Sequence, residues 1–150
     1  MNPFIQLILA FIGSLGFSMV FNVKKKYWLI IAINGMLSWG VYLLFRIVAN
    51  DFISYFFSAA FCSLFAHISS KILKAPTTCL LISATVPMIP GGSLYYTMTY
   101  IISGNMVEFK KYALLTAEVI FAMSIGFAIV SLVFKLINNY SDKKVQSIKS

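Results

Sequence analysis

Two ionisable side chains of this sequence stand within long apolar stretches, where a charge is costly. Glu118 is the only carboxylate well inside such a stretch, and His67 is the only histidine of the chain. Ionisable residues at membrane depth usually face the interior of a helix bundle or a wet cavity. We therefore consider both as candidates for binding a coupling proton or cation. The alternatives are a structural carboxylate paired with Lys110, Lys111 or a partner subunit, and a histidine hydrogen-bonded to a neighbour.

Uncharged polar residues recur at helical spacing in the same stretches. Asn34, Ser38 and Tyr42 are four residues apart, so one side of a helix would present all three. We predict that Asn34, Ser38 and also Asn22 make polar contacts between packed helices. The line through Asn34 could equally form the wall of a permeation path.

Residues 86–96, VPMIPGGSLYY, contain the strongest helix-breaking signal of the chain. Proline removes a backbone donor and fixes φ, and glycine frees the backbone, so a helix that reaches this stretch should break. Broken helices expose backbone N–H and C=O groups, and secondary transporters bind substrate there. We therefore predict a small-molecule site made of these residues: Pro87, Pro90, Gly91, Gly92 and Tyr95. The alternative is that the prolines only form a tight outer turn.

The sequence lacks the residue sets that most enzymes and metal sites require. It has no glycine loop for phosphate and no pair of cysteines or histidines at metal-binding spacing. It also has no serine, histidine and aspartate that short loops could bring together. We therefore predict no catalytic residues, no metal and no cofactor, and we do not expect an enzyme.

The composition is that of an integral membrane protein. Of the 150 residues, 60% are hydrophobic and 11% are charged, and the mean hydropathy is +0.88. A soluble domain is typically about 45–50% apolar and about 25% charged. The net charge of +8 lies in short clusters between apolar runs. That pattern is typical of topology signals beside a lipid bilayer and argues against a nucleic-acid partner.

Five apolar segments are candidates to cross a bilayer, which requires about 20 residues of helix. They cover about residues 3–23, 27–45, 52–70, 77–102 and 112–137. The fourth is the broken one, because residues 77–86 would form only about 15 Å of helix, half of the hydrocarbon thickness. A re-entrant hairpin with an interfacial helix is the alternative. We predict an all-α integral membrane fold, with one transmembrane domain at residues 1–137 and a basic cytoplasmic tail at residues 138–150.

The basic residues predict the orientation in the cell inner membrane. The first segment is expected to be retained, because Lys24 to Lys26 follow it, whereas the basic residues of a signal peptide come first. With five spans and the N-terminus outside, nine of the 12 Lys and Arg residues face the cytoplasm. The remaining three, Arg46, Lys110 and Lys111, face outward. The positive-inside rule therefore favours an outer N-terminus and a cytoplasmic C-terminus. A re-entrant fourth segment would give seven against five.

An ordered set of motifs resembles a known transporter family. The motifs are, in order, GFSMVFNV at residues 16–23, a basic stretch ending in AP at residues 71–76, VPMIPG at residues 86–91 with Tyr95, LTA at residues 115–117 and SIG at residues 124–126. Together they resemble the threonine/serine exporter family. The likeness is to the small subunit of its split, two-component form, similar to that of the bacterial succinate exporter pair.

The resemblance implies a function and a partner. The chain would correspond to the C-terminal half of single-chain exporters, and a larger membrane subunit would supply the other half. The pair would export small polar metabolites by alternating access, either amino acids such as threonine and serine or dicarboxylates such as succinate. The related small subunit has a small polar residue where Glu118 stands, so the resemblance assigns Glu118 no coupling role.

Physical reasoning also indicates that the chain does not act alone. Five short-looped spans leave little protein to enclose a hydrophilic path, so we expect a larger partner or a homo-oligomer. The alternative function is a non-transporting scaffold or assembly subunit in the membrane.

Overall fold

The computed structural model describes the backbone of residues 2–149 and the side chains of residues 2–140. This part of the chain forms six α-helices and no strand. The helices are α1 (Pro3–Val20), α2 (Trp28–Phe45), α3 (Asp51–Leu73), α4 (Thr77–Thr85), α5 (Gly91–Ile102) and α6 (Met106–Lys149). Single 3₁₀ turns precede α2 (Lys25–Tyr27) and follow α4 (Val86–Met88). The predicted all-α fold is confirmed.

Four of these helices are long and apolar enough to cross a membrane. They are α1, α2 with its preceding 3₁₀ turn, α3 and α6. The shorter α4 and α5 make a fifth candidate as a pair, bent by 60° where they meet. The helix break predicted from the prolines and glycines is therefore confirmed, and the count agrees with four to five spans.

The last helix is longer than the predicted segment 112–137. It begins at Met106, because the side-chain Oδ1 of Asn105 accepts a hydrogen bond from the N–H of Glu108 at 3.3 Å and caps the first turn. At its other end the helix continues to Lys149, through residues predicted as a polar tail. Hydropathy detects only the apolar part of a helix, so the sequence pattern missed the polar turns at both ends.

Small residues allow the helices to pack closely, as is typical of helix interfaces in membranes. The buried positions of α1 to α4 and α6 include many serines and alanines: Ala10, Ser14, Ser18, Ala32, Ser38, Ser54, Ser58, Ala59, Ser63, Ala66, Ser83, Ala84 and Ala122. One close approach is between α6 and α3. A Cβ atom on Gly126 would lie only 2.7 Å from the carbonyl oxygen of Phe56 and 3.1 Å from the Cβ of Ala59.

A buried seam of hydrogen bonds joins α2 to α3. Asn34 donates from Nδ2 to the carbonyl of Cys62 at 3.2 Å and accepts on Oδ1 from the Ser38 hydroxyl at 3.2 Å. The hydroxyl of Ser58 donates to the carbonyl of Ser38 at 2.6 Å. Asn34 and Ser38 thus lie at a helix contact.

Asn22, predicted together with Asn34 and Ser38, lies elsewhere. It follows the end of α1 with a φ of 52°, and its side chain is exposed. Asparagine adopts this left-handed conformation more readily than most residues do. Its position suits the ending of a helix and not a contact between helices.

Candidate functional site

The helix break lies between α4 and α5 and is built from two prolines. Pro87 and Pro90 have no N–H, so neither can continue the hydrogen-bond ladder of α4. The chain instead makes the 3₁₀ turn Val86–Met88, and the N–H of Ile89 donates to the carbonyl of Val86 at 3.2 Å. Pro90 then caps α5, which leaves at a 60° angle to the preceding segment.

The first turn of α5 presents backbone donors. The N–H of Gly91 donates to the carbonyl of Ile89 at 2.7 Å, and that of Leu94 donates to the carbonyl of Pro90 at 3.0 Å. The N–H groups of Gly92 and Ser93 belong to the first turn, where a helix offers no internal acceptor. A helix N-terminus also carries a partial positive charge, so these two donors favour an anionic group.

A cavity of about 360 Å³ opens at this point. The break forms one side of it through Ile89, Pro90, Gly91, Gly92 and Ser93. The other sides come from three helices: Trp39, Tyr42 and Arg46 at the end of α2, Asp51 and Tyr55 at the start of α3, and Leu115 and Val119 on α6. Free backbone donors, aromatic rings and charged side chains therefore surround one space.

Three aromatic rings form a continuous wall of the cavity. The ring centroids of Trp39 and Tyr42 are 4.7 Å apart, and those of Tyr42 and Tyr55 are 4.5 Å apart. Such close tilted contacts hold each ring in place against its neighbour. The wall offers apolar faces with polar edges, which suits a small ligand that is partly polar.

An ion pair stands at the edge of the same cavity. Arg46 Nε lies 3.6 Å from Asp51 Oδ1, across the short connection between α2 and α3. The side chains remain 58% and 42% exposed. The guanidinium also lies over the Tyr42 ring, 5.6 Å from its centroid. Both charges are thus accessible from the cavity.

A second cavity, of about 330 Å³, is lined mainly by α1 and also by Trp39. Pro87 lines this second cavity, together with residues that include Gln6, Gly13 and Phe17. The indole N–H of Trp39 donates to Oε1 of Gln6 at 3.2 Å. Trp39 lines both cavities.

The predicted site residues divide into three groups. Pro90, Gly91 and Gly92 line the cavity with the ion pair, and Pro87 lines its neighbour. Tyr95 lines neither of these two cavities; it is 66% exposed and makes an edge contact with Tyr96, 5.6 Å between centroids.

Glu118 does not face the interior of the chain. Its side chain is exposed, whereas Val119, Ala122 and Gly126 on the same helix are buried against α3. One residue step is about 100° around a helix, so Glu118 points well away from the buried Val119 that follows it. The predicted alternative of a pair with Lys111 is absent among the described side chains, since Lys111 pairs with Glu108 at 3.5 Å.

His67 lies toward the opposite end of α3 from the cavity. It is about 24 Å along the helix from Asp51, at 1.5 Å per residue. Its Nδ1 lies 2.8 Å from the carbonyl oxygen of Ser63, and its ring stacks on Phe134 with 4.6 Å between centroids. His67 therefore does not contact the cavity at the break.

Nine lining residues of the cavity were not predicted as binding residues, and five of them have aromatic or charged side chains: Trp39, Tyr42, Arg46, Asp51 and Tyr55. Arg46 and Asp51 bracket the α2–α3 connection, so a tight antiparallel turn had to bring them together. The short spacing between the two charges was the available signal, but in the sequence Arg46 was used only to predict the orientation of the spans. The described residues contain no group of three His, Cys, Asp or Glu that could hold a metal.

The chain matches a known protein family. A family described as "Threonine/Serine exporter, ThrE" matches residues 6–133, which run from α1 into α6 and contain the helix break and both cavities. No curated protein and no solved structure matches the chain.

Proposed function

Because this chain belongs to the threonine/serine exporter family, we propose that it is a subunit of a secondary exporter and binds substrate in the cavity beside the helix break. The observation that carries this proposal is the meeting of unpaired N–H groups, aromatic rings and two opposite charges around one space. Many secondary transporters bind substrate in a space at which a discontinuous helix ends. The substrates would be small polar metabolites, amino acids of the threonine and serine type or dicarboxylates such as succinate.

The break also provides a way to alternate access. In this proposal α5 swings about residues 89–92 and opens or closes the cavity. Two features support this: α5 packs mainly along the first turns of α6, and added Cβ atoms on Gly91 and Gly92 would meet no atom within 4 Å. With the N-terminus outside, as the lysine distribution favours, the cavity at the ends of α2 and α3 would face outward.

We further propose that a larger membrane subunit completes the path. No residue of Gly91–Ile102 is fully buried, and large apolar side chains on α5 and the start of α6 remain uncovered. Glu118 is exposed on the same helix, and a carboxylate facing lipid is costly. A partner on this side would cover both features, and a second copy of the chain is the alternative.

The same uncovered surface is compatible with a second function, that of a scaffold that assembles a larger complex without carrying substrate. The two functions predict different effects of changes at the break. A scaffold tolerates a change in the cavity as long as the chain inserts and its outer surface is intact, whereas an exporter does not.

The test is efflux from cells in which the gene is deleted and the full-length chain is restored on a plasmid, so that any native partner is present. Cells loaded with threonine-containing dipeptides should retain threonine when they express Pro90→Ala or Gly91→Leu. Gly16→Leu is a matched control, because Gly16 also has no atom within 4 Å of an added Cβ but lies on α1, away from the break. The exporter proposal fails if deleting this gene leaves efflux of threonine, serine and succinate unchanged.

A further inference from the structure

The cavity at the break contains one positive and one negative side chain, and both are available to a ligand. Arg46 and Asp51 are separated by 3.6 Å, which is longer than the 2.7–2.9 Å of a strong charge-assisted hydrogen bond. About half of each side chain is exposed. Exposed pairs of this kind contribute little to stability. Opening this pair to admit a ligand between the charges would therefore cost little.

The two charges have different surroundings. Arg46 shares the cavity with the N-terminus of α5, where the N–H groups of Gly92 and Ser93 add further donors. Asp51 is the only carboxylate among the residues that line this cavity. The space thus offers several donors for a carboxylate and one acceptor for a cation.

A ligand that satisfies both charges carries a carboxylate and an ammonium group a few bonds apart. An α-amino acid in its zwitterionic form has this arrangement. A dicarboxylate would satisfy Arg46 but would place its second carboxylate near Asp51, and such a like-charge contact opposes binding.

We propose that Arg46 and Asp51 determine the specificity of the exporter by charge. In the bound state Arg46 and the first turn of α5 bind the carboxylate of a zwitterionic amino acid, and Asp51 binds its ammonium group. The carboxylate of the ligand thus replaces Asp51 as the partner of Arg46, and its ammonium group replaces Arg46 as the partner of Asp51. This inference rests on the proposed function and decides between its two substrate classes in favour of amino acids.

The experiment uses everted membrane vesicles from the complemented deletion cells, in which export appears as uptake. Initial rates are measured for labelled threonine and labelled succinate with the wild-type chain, Asp51→Asn and Arg46→Gln. Hydrogen bonds to charged groups are worth enough to change binding by about 10- to 100-fold. Asp51→Asn should lower threonine uptake by that factor at subsaturating substrate without lowering succinate uptake, and Asp51→Glu should restore part of the threonine uptake. Arg46→Gln should lower the uptake of any carboxylate.

A second exposed ion pair among the described side chains provides a matched control. Lys111 and Glu108 are 3.5 Å apart, with 65% and 36% exposure, but they lie on the first turns of α6 and do not line the cavity. Lys111→Gln and Glu108→Gln should leave the ratio of threonine to succinate uptake unchanged. Equal loss of both substrates in Asp51→Asn would mean that the ion pair only shapes the α2–α3 connection, and this would overturn the inference.

A competition measurement on the wild-type chain tests the same inference even if a variant fails to insert. Threonine methyl ester lacks the carboxylate, and N-acetylthreonine lacks the ammonium group. Both should compete with labelled threonine at least about tenfold less well than threonine itself. Equal competition by N-acetylthreonine would overturn the role of Asp51 while leaving the proposed function in place. Vesicles that carry the wild-type chain and transport neither threonine nor succinate would instead count against the proposed function.

Discussion

Replacing Gly126 by alanine adds one methyl group at a close contact between α3 and α6. The new Cβ would lie 2.7 Å from the carbonyl oxygen of Phe56 and 3.1 Å from both the Cβ of Ala59 and the backbone nitrogen of Ala60. Ordinary contact starts at 3.4 Å, so the helices must separate by up to 3.4 − 2.7 = 0.7 Å. Two of these three atoms belong to the backbone of α3, and no change of rotamer can move them.

The expected cost is that of overpacking a well-packed interface, about 1–3 kcal/mol. Alanine is the better helix former by up to about 1 kcal/mol, which offsets part of this cost. Gly16→Ala controls for that gain, since Gly16 has no atom within 4 Å of an added Cβ. We therefore expect Gly126→Ala to lower the melting temperature of the detergent-solubilised chain, whereas Gly16→Ala should leave it unchanged or raise it.

The same substitution should affect transport, because α6 carries a wall of the cavity. Val119 lies about two turns before Gly126 and lines the cavity together with Tyr55. Separation of α3 from α6 would widen this space and weaken its contacts with a small substrate. Threonine uptake into everted vesicles measures this effect after correction for the amount of inserted chain. Equal melting temperatures for the two alanine variants would refute the packing argument.

Three further predictions concern single positions. Asn34→Ala should destabilise the chain by about 1–3 kcal/mol in thermal unfolding, because the hydroxyl of Ser38 loses its acceptor. If this loss of stability is no larger than that of an exposed substitution such as Asn139→Ala, the buried seam is contradicted. Lys74→Gly should stabilise the chain by up to about 1 kcal/mol. Lys74 ends α3 with a φ of 49°, a left-handed conformation that glycine adopts without steric cost. A lower melting temperature would show that the lysine side chain contributes more to stability than the backbone conformation costs. Glu118→Gln should flatten the pH dependence of threonine uptake if Glu118 carries the coupling proton, and an unchanged pH profile would remove it from the mechanism.

The sequence predicted the helix break because its cause is local. Pro87 and Pro90 remove backbone donors wherever they stand, so α4 had to end near Val86 in any fold. The apolar segments were predictable for a similar reason, because a bilayer requires a fixed length of apolar helix. The start of α6 at Met106 was missed because it depends on the cap by Asn105 and not on hydropathy.

The residues that line the cavity could not be predicted from the sequence in the same way. Whether Tyr95 or Tyr55 faces the cavity depends on where α5 starts and how α2 and α3 cross, and these are properties of the packed bundle. Glu118 illustrates the same limit, since it is exposed although Ala122, four residues further along the same helix, is buried. Arg46 is both a topology signal and a lining residue of the cavity. The sequence pattern showed only the first of these roles.

The central claim, that substrate binds at the break, can be tested by substrate protection of a cysteine placed there. Cys62 is buried and Cys79 is exposed, so the measurement uses Gly92→Cys in a Cys79→Ser background, in native membranes. A second variant, Ser103→Cys, places the thiol at the far end of α5 as the control. We predict that saturating threonine slows maleimide labelling at position 92 and leaves labelling at position 103 unchanged. Equal labelling rates at position 92 with and without threonine, in membranes that transport threonine, would contradict a binding site at the break.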